Sequence, residues 1–297
     1  MSTFAPVASR LPWTRSVALS WREARPVVQR MFQLRFLTAA LLALPAARAG
    51  LDYGRIAVAA AAWLCTTWYV YLLNGLSDRV EDSGNGSTRP LAGGELAEAA
   101  ARTMLAWLAA AALLLAILVG PLLVVLVLAM LALGTLYSAG PRPQKAHTGG
   151  AMAVIAAGGV VTYLAGWYAG GGGGPTPTLL VVGGAMSAWM ALVGMTKDLP
   201  DVAGDRAAGR RTLPVVLGAR RARLVLAVLT LAVGAGAGIA AWTLGVTPVV
   251  GVGLPVGAGI VALGLLRSDP GLPYRRFMIV QYAVHLSTII DILQPQH

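Results

Sequence analysis

The stretch AVAAAAWLCTTWYVYLLNGLSDRVED (57–82) joins an apolar run to an abrupt cluster of carboxylates. Its first 20 residues contain no charged side chain, whereas Asp78, Glu81 and Asp82 follow directly after them. About 20 apolar residues are enough for a helix to cross a bilayer. The stretch therefore predicts a transmembrane helix with acidic residues at one membrane face.

The rest of the chain has the same apolar character. Of its 297 residues, 57% are hydrophobic and 12% are charged, whereas soluble domains carry about 25% charged residues. Helices are predicted because backbone groups in lipid must be satisfied internally, and no alternating strand pattern indicates a barrel. The predicted fold is an all-α, polytopic integral membrane protein with nine transmembrane helices, at about 33–49, 57–76, 101–118, 120–137, 150–169, 178–196, 223–243, 246–266 and 275–293.

These spans define a simple domain organisation. Residues 1–32 are predicted to form a cytoplasmic N-terminal segment, because they lack the uninterrupted apolar core of a cleavable signal peptide. Residues 33–297 are predicted to form a single nine-helix domain. The one cysteine, Cys65, lies inside the second span, which excludes a disulfide framework or a cysteine metal site.

Basic residues are distributed unevenly between the two sides of the predicted bundle. With nine spans, 21 of the 23 lysines and arginines fall on the side of the N-terminus, and only Arg48 and Arg55 fall on the other. Cytoplasmic loops carry such an excess, so the N-terminus and the acidic loops are predicted to be cytoplasmic. The net charge of +11 then indicates topology and attraction to anionic lipid. We expect the lipid bilayer as a partner, no nucleic acid and no obligate protein partner.

Half of the acidic residues occupy two short stretches on this face. Asn74, Asp78 and Asp82 are spaced i, i+4, i+8, which places them on one stripe of a helix. The second stretch, spaced i, i+3, i+7, predicts a second stripe, formed by Asp198, Asp201 and Asp205.

Two converging stripes of carboxylates would repel each other unless a cation lay between them. Mg²⁺ prefers oxygen ligands and is commonly held by one or two carboxylates plus substrate phosphates. The sequence therefore predicts a magnesium-bridged diphosphate. The predicted metal ligands are Asp78, Asp82, Asp198, Asp201 and Asp205, of which the first four are also the predicted catalytic residues.

Basic side chains near the stripes are candidates for binding the diphosphate. They are Arg89, Arg142, Lys145, Lys197 and Arg206. Magnesium and such cations would neutralise the charge that develops on a departing diphosphate. An allylic diphosphate would ionise to a carbocation, and its isoprenoid tail would lie between apolar helices.

Three segments resemble, in order and spacing, the signature loops of the UbiA superfamily of intramembrane prenyltransferases. They are NGLSDRVED (74–82), YSAGPRPQK (137–145) and KDLPDVAGDRAAGRRTLPVVLG (197–218). The resemblance implies a nine-helix horseshoe around a central cavity, with Mg²⁺ and a prenyl diphosphate bound by both acidic motifs. It also implies that Asn74 and Lys145 bind the diphosphate, that Tyr137 lines the cavity beside it and that Arg89 lies near phosphate.

The chain departs from that pattern on the acceptor side. Gly75 stands where many members have Asp, and an Asn expected soon after Lys145 is absent. The implied function is Mg²⁺-dependent transfer of an isoprenyl group to a small aromatic or quinone-precursor acceptor. The alternative is a terpene cyclase of the same superfamily, which needs no acceptor. A transporter is disfavoured because the acids lie at span ends rather than near the bilayer midplane.

Overall fold

A computed structural model describes residues 12–44, 50–84, 86–246 and 248–294. These residues form twelve α-helices and no β-strand. Short 3₁₀ helices at Gln144–Ala146 and Val193–Asp198 accompany them. The helices are α1 (Trp13–Glu23), α2 (Pro26–Leu42), α3 (Tyr53–Gly84), α4 (Glu98–Val119), α5 (Pro121–Ser138), α6 (Thr148–Ala169), α7 (Pro177–Leu192), α8 (Val202–Ala207), α9 (Leu213–Leu217), α10 (Ala219–Thr243), α11 (Pro248–Leu265) and α12 (Leu272–Leu293).

Each of the nine predicted spans coincides with one long helix, but the count of nine is not confirmed. Seven helices in the described parts of the chain are long and apolar enough to cross a membrane. The two others are α2 and α11. The helix α2 has 17 residues and carries Arg30 and Arg35, and the apolar part of α11 is Val249–Leu265. The predicted boundary at residue 32 falls inside α2, and the predicted end of the first span, 45–49, lies outside the described residues.

The predicted break between the third and fourth spans is confirmed at Gly120. The helix α4 ends at Val119 and α5 begins at Pro121. Gly120 has a φ of 143°, a backbone conformation that residues with a side chain rarely adopt. Pro121 lacks the backbone N–H that would continue α4, so one apolar stretch becomes two helices.

The apolar interior consists of two main clusters of buried side chains. One is formed by residues of α2, α3, α4, α5 and α6, and the other mainly by residues of α6, α7, α10, α11 and α12. The helices α2 and α6 pack backbone to backbone where the clusters meet. A side chain at Gly166 or Gly170 would overlap the carbonyl oxygen of Phe36 or Ala40, so glycine permits this close approach.

The remaining short elements gather at one end of the bundle. They are α1, the two 3₁₀ helices, α8 and α9. Lys145 of the first 3₁₀ helix and Arg210, between α8 and α9, donate to Ser77 and Asp78 in the last turns of α3. Glu23 of α1 pairs with Arg89 in the loop that follows α3. Both acidic motifs therefore lie at the same end of the bundle. The prediction that they share one membrane face requires this arrangement.

Candidate active site

A cavity of about 590 Å³ opens at this end and runs between the two clusters. Its walls divide by chemistry. Charged residues from α3, from the loops and from the short helices line one part, and the other part is apolar, with Met130, Leu133, Ile155, Met190 and Phe277 among its residues. The cavity can therefore hold a molecule with a charged head and a hydrocarbon tail.

The first acidic stripe forms as predicted on the last turns of α3. Asn74, Asp78 and Asp82 all line the cavity, because α3 continues without a break to Gly84. Asp78 is the most buried of the three, at 8% exposure. It accepts hydrogen bonds from Lys145 Nζ and, at 3.0 Å, from Arg210 Nη2.

The second acidic motif does not form a stripe on one helix, so that prediction is wrong. Asp198 ends the 3₁₀ helix after α7, Asp201 precedes α8, and Asp205 lies within α8. Pro200 explains the difference, since it has no backbone N–H to continue a helix through this segment, although Leu199 before it keeps helical dihedral angles (φ −64°, ψ −37°). All three carboxylates still line the cavity, because the chain folds back over its mouth.

Each carboxylate of the second motif has its own environment. Lys197 Nζ donates to Asp198 Oδ1 at 2.6 Å. Thr212 Oγ1 donates to Asp205 Oδ2 at 3.0 Å. Partial burial, together with the negative charge of Asp198, raises the pKa of the Asp201 and Asp205 carboxyls. The negative charges at this mouth are therefore close enough to disfavour one another, and a bound cation would relieve that cost.

Arg210 joins the two motifs, and the sequence analysis missed it. Its Nη2 donates to Asp78 Oδ1 at 3.0 Å and to Glu81 Oε2 at 2.8 Å, and its Nη1 lies 3.7 Å from Asp205 Oδ1. The sequence favoured Arg206, whose side chain is exposed and does not line the cavity. The sequence feature that could have indicated Arg210 is the glycine before it. Gly209 adopts a φ of 70°, which turns the chain after α8 and brings Arg210 back toward Asp205.

The other predicted diphosphate ligands are divided between the cavity and the surface. Arg89, Tyr137, Lys145 and Lys197 line the cavity together with Asn74. Arg142 is exposed and, like Arg206, lies outside the lining.

Arg89 is fixed by two carboxylates. Its Nη1 donates to Asp82 Oδ2 at 2.7 Å, and its Nη2 lies 2.6 Å from Oε1 of Glu23, the last residue of α1. Glu23 is completely buried. The sequence analysis did not select it, because it lies 66 residues before Arg89 in a segment with no recognisable motif.

Two further arginines line the cavity. Arg25 has a positive φ of 57° and begins α2 beside the second motif. Arg35 lies deeper at 4% exposure and donates to Gln281 Oε1 of α12 at 2.6 Å. Within the described part of the chain no carboxylate pairs with Arg35, and its Nε has no hydrogen-bond partner. This part of the cavity therefore carries an uncompensated positive charge.

Sequence comparison links the chain to one family. The UbiA prenyltransferase family profile matches residues 36–284. Digeranylgeranylglyceryl phosphate synthases from two strains of Halobacterium salinarum are 52% identical over 52 residues, or 16% of this chain. The chain spans about a fifth, 19%, of the length of these relatives.

Structural comparison finds the same architecture in solved structures. A UbiA homolog from Archaeoglobus fulgidus bound to GPP and Mg²⁺ has a TM-score of 0.72 at 20% identity, over 93% of this chain and 99% of that chain. A UbiA homolog from Aeropyrum pernix K1 in its apo form has a TM-score of 0.67 at 18% identity, over 89% and 98%. At these identities the likeness establishes the fold.

Proposed function

Because the chain belongs to the UbiA prenyltransferase family, we propose that it transfers an isoprenyl group from a prenyl diphosphate to an acceptor within the membrane, with Mg²⁺ as cofactor. One observation carries the proposal: the carboxylates of both acidic motifs lie with four cationic side chains at the mouth of a cavity whose deeper walls are mainly apolar, with Arg35 and Gln281 as polar exceptions. The four cations are Arg89, Lys145, Lys197 and Arg210.

The donor set fits magnesium. In the described residues no three carboxylate, histidine or cysteine groups lie close enough to hold an ion by themselves. Mg²⁺ usually takes one or two carboxylates and completes its shell with water and substrate phosphates. The one or two carboxylates that hold it would come from Asp78 and Asp82 on one side and from Asp198, Asp201 and Asp205 on the other. When bound, it would stabilise negative charge on the departing diphosphate.

The side chains around these carboxylates prepare the site for a diphosphate. Lys145 and Arg210 are held at the cavity by Asp78, and Arg89 is held there by Asp82. Substrate binding would exchange carboxylate oxygens for phosphate oxygens, which charge-assisted hydrogen bonds favour. Since the donors are already in place, they can stabilise the charge of the leaving group without reorganisation.

The rest of the cavity suits an allylic chain. Methionine, leucine and isoleucine side chains provide an apolar wall. Tyr71, Tyr137, Tyr274 and Phe277 present aromatic rings to the cavity, and ring faces attract cations. These rings would stabilise an allylic carbocation and keep water from it.

Arg35 indicates which chemical class of acceptor the cavity binds. Its buried guanidinium donates to the neutral Gln281 and lies 5.1 Å from the centroid of the Phe32 ring, and it pairs with no carboxylate in the described residues. This favours an acceptor that carries an anionic group. An aromatic carboxylate and a phosphate-bearing alcohol both meet this requirement. The partial match to digeranylgeranylglyceryl phosphate synthase supports the second, and the sequence resemblance supports the first.

The orientation of the bundle follows from the charge distribution. We propose that the N-terminus and the charged mouth of the cavity face the cytoplasm. With nine predicted spans, only Arg48 and Arg55 of the 23 basic residues fall on the other side, and Arg35 is buried within α2.

The test is a turnover assay with purified protein in detergent, Mg²⁺ and allylic diphosphates of graded length. We expect diphosphate release that depends on Mg²⁺ and on an added acceptor, either an aromatic carboxylate or a phosphate-bearing alcohol. Products identified by mass spectrometry would assign the acceptor. Release of a cyclised hydrocarbon without acceptor would establish the cyclase instead, and no consumption of any allylic diphosphate would contradict both.

A substitution at Gly158 is expected to shorten the prenyl chain that the enzyme accepts. Gly158 lines the apolar part of the cavity, and an added Cβ would lie 3.5 Å from Met130 Sδ, an ordinary contact. A leucine there would fill the space beyond that contact. We expect Gly158→Leu to lower kcat/KM for the longest substrate by about 100-fold relative to the shortest. Gly184→Leu is the matched control, because Gly184 is exposed and has open space beside it. An equal effect on all chain lengths would refute this assignment.

A further inference from the structure

The space where residue 75, next to Asn74, would carry a side chain is filled by two residues that do not belong to the first acidic motif. The next residue, Gly75, has no side chain, and an added Cβ there would lie 2.6 Å from Arg89 Nη2 and closer still to Glu23 Oε1. A carboxylate and a guanidinium thus occupy the place where the side chain of residue 75 would be. The carboxylate arrives from α1, 52 residues earlier in the chain.

Every polar atom of the Glu23 carboxylate points at the Arg89 segment. Oε1 lies 2.6 Å from Arg89 Nη2, and Oε2 accepts the backbone N–H of Leu91 at 2.9 Å. The carbonyl oxygen of Glu23 also accepts from Arg89 Nη2, at 3.2 Å. A fully buried carboxylate is costly unless it is paired and hydrogen-bonded. Oε2 is hydrogen-bonded to Leu91, whereas Oε1 has no hydrogen-bond partner among the described residues and depends on the ion pair with Arg89.

The opposite end of Arg89 reaches Asp82, so the three residues form a chain. Arg89 Nη1 donates to Asp82 Oδ2 at 2.7 Å, and both residues line the cavity. Glu23 is absent from the lining and stands behind Arg89. Its carboxylate therefore fixes the side of the guanidinium that does not face Asp82.

The position of α1 is set by packing that is independent of this ion pair. The rings of Trp21 and Trp68 meet edge to face at 5.0 Å. Trp68 Nε1 donates to the carbonyl oxygen of Ser20 at 3.1 Å. The last turn of α1 is thus anchored on α3, which delivers Glu23 in a defined geometry.

We propose that Glu23 is a positioning residue of the diphosphate site: α1 supplies the carboxylate that orients Arg89 and, through it, Asp82. Position 75 is glycine because this carboxylate occupies the space of its side chain. The inference rests on the proposed function, because it takes a prenyl diphosphate to be the ligand that Arg89 binds. It extends the site to a helix that contributes no residue to either acidic motif.

The test removes the carboxylate at position 23 and introduces one at position 75, singly and together. Glu23→Ala is expected to raise KM for the prenyl diphosphate by about 10-fold, with a smaller change in kcat. Gly75→Asp alone is expected to abolish turnover or folding, because the new side chain overlaps Glu23. Glu23→Ala combined with Gly75→Asp is expected to recover KM to within about 3-fold of wild type, since the carboxylate introduced at position 75 can then pair with Arg89.

The control removes another ion pair of the same helix. Arg22 at the end of α1 contacts the exposed Glu95 at 3.1 Å, and exposed pairs contribute little. Glu95→Ala is therefore expected to leave KM and kcat unchanged.

The outcomes separate the inference from the proposed function. An unchanged KM in folded Glu23→Ala, or a double variant no better than Gly75→Asp alone, would overturn the positioning role while wild-type turnover still stands. A fall in melting temperature without a change in KM would also overturn it, since that is a purely structural effect.

If wild type consumes no allylic diphosphate, the proposed function fails. In that case the melting temperatures of Gly75→Asp and of the double variant are compared, with and without Mg²⁺ and inorganic diphosphate. A double variant that melts no higher than Gly75→Asp would overturn the inference.

Discussion

Replacing Asp78 by Asn is expected to lower turnover of prenyl diphosphate by about 1000-fold. Asp78 is the buried carboxylate of the first motif and holds both Lys145 and Arg210 at the cavity. Asparagine keeps the size of the side chain but loses the charge, so it would weaken a magnesium site and release two cations from their common partner. Raising the Mg²⁺ concentration is expected to restore little of the rate, because the placement of the cations is lost as well.

The measurement is the rate of diphosphate release, with binding of a non-reactive thiolodiphosphate followed by calorimetry at several Mg²⁺ concentrations. Asp269→Asn is the matched control, because Asp269 lies in the turn before α12 and, among the described residues, pairs with the exposed Arg275 and neighbouring backbone. Its turnover should equal that of wild type. Retention of full activity by Asp78→Asn would remove the basis for the two-motif metal site.

Replacing Arg210 by Gln is expected to lower turnover by about 100-fold and also to destabilise the fold. Arg210 is the one side chain that reaches Asp78, Glu81 and Asp205 together in the described structure. Its loss leaves three carboxylates facing one another, and removing one partner of a largely buried ion pair costs on the order of 3 kcal/mol. Lysine cannot reproduce the fork of the guanidinium, so Arg210→Lys should be intermediate in both activity and melting temperature.

Mg²⁺ provides a specific check on this explanation. A divalent cation would replace part of the lost positive charge, so it should raise the melting temperature of Arg210→Gln more than that of wild type. The neighbouring Arg211 is exposed and is held through its backbone to Ala146. Arg211→Gln should therefore behave as wild type. An Arg210→Gln variant with normal turnover would show that the bridge between the motifs is dispensable.

Local sequence predicted the parts of the site that lie on one uninterrupted element. The stripe Asn74, Asp78 and Asp82 follows from helical spacing, because α3 runs through all three residues. The second motif was predicted as a helical stripe by the same rule, and Pro200 made that prediction wrong. All three aspartates nevertheless line the cavity, and their role as metal ligands stays a prediction.

Long-range contacts set the limit of prediction. Arg210 meets Asp78 across 132 residues, and Glu23 meets Arg89 across 66. No spacing rule applies over such distances, because the meeting depends on how helices pack. The span count was limited in a different way: α2 carries Arg35 inward toward Gln281, so composition alone does not identify it as a crossing helix.

The pairing of Arg35 with Gln281 has a consequence for biogenesis. If α2 crosses the membrane as predicted, an arginine near its middle would disfavour insertion by about 3 kcal/mol. The partner on α12 is made 246 residues later. The Arg35 guanidinium of α2 therefore gains this partner only after α12 has been made, so its polar environment is completed by helix assembly. A chain that stops before α12 would leave the Arg35 guanidinium without this partner.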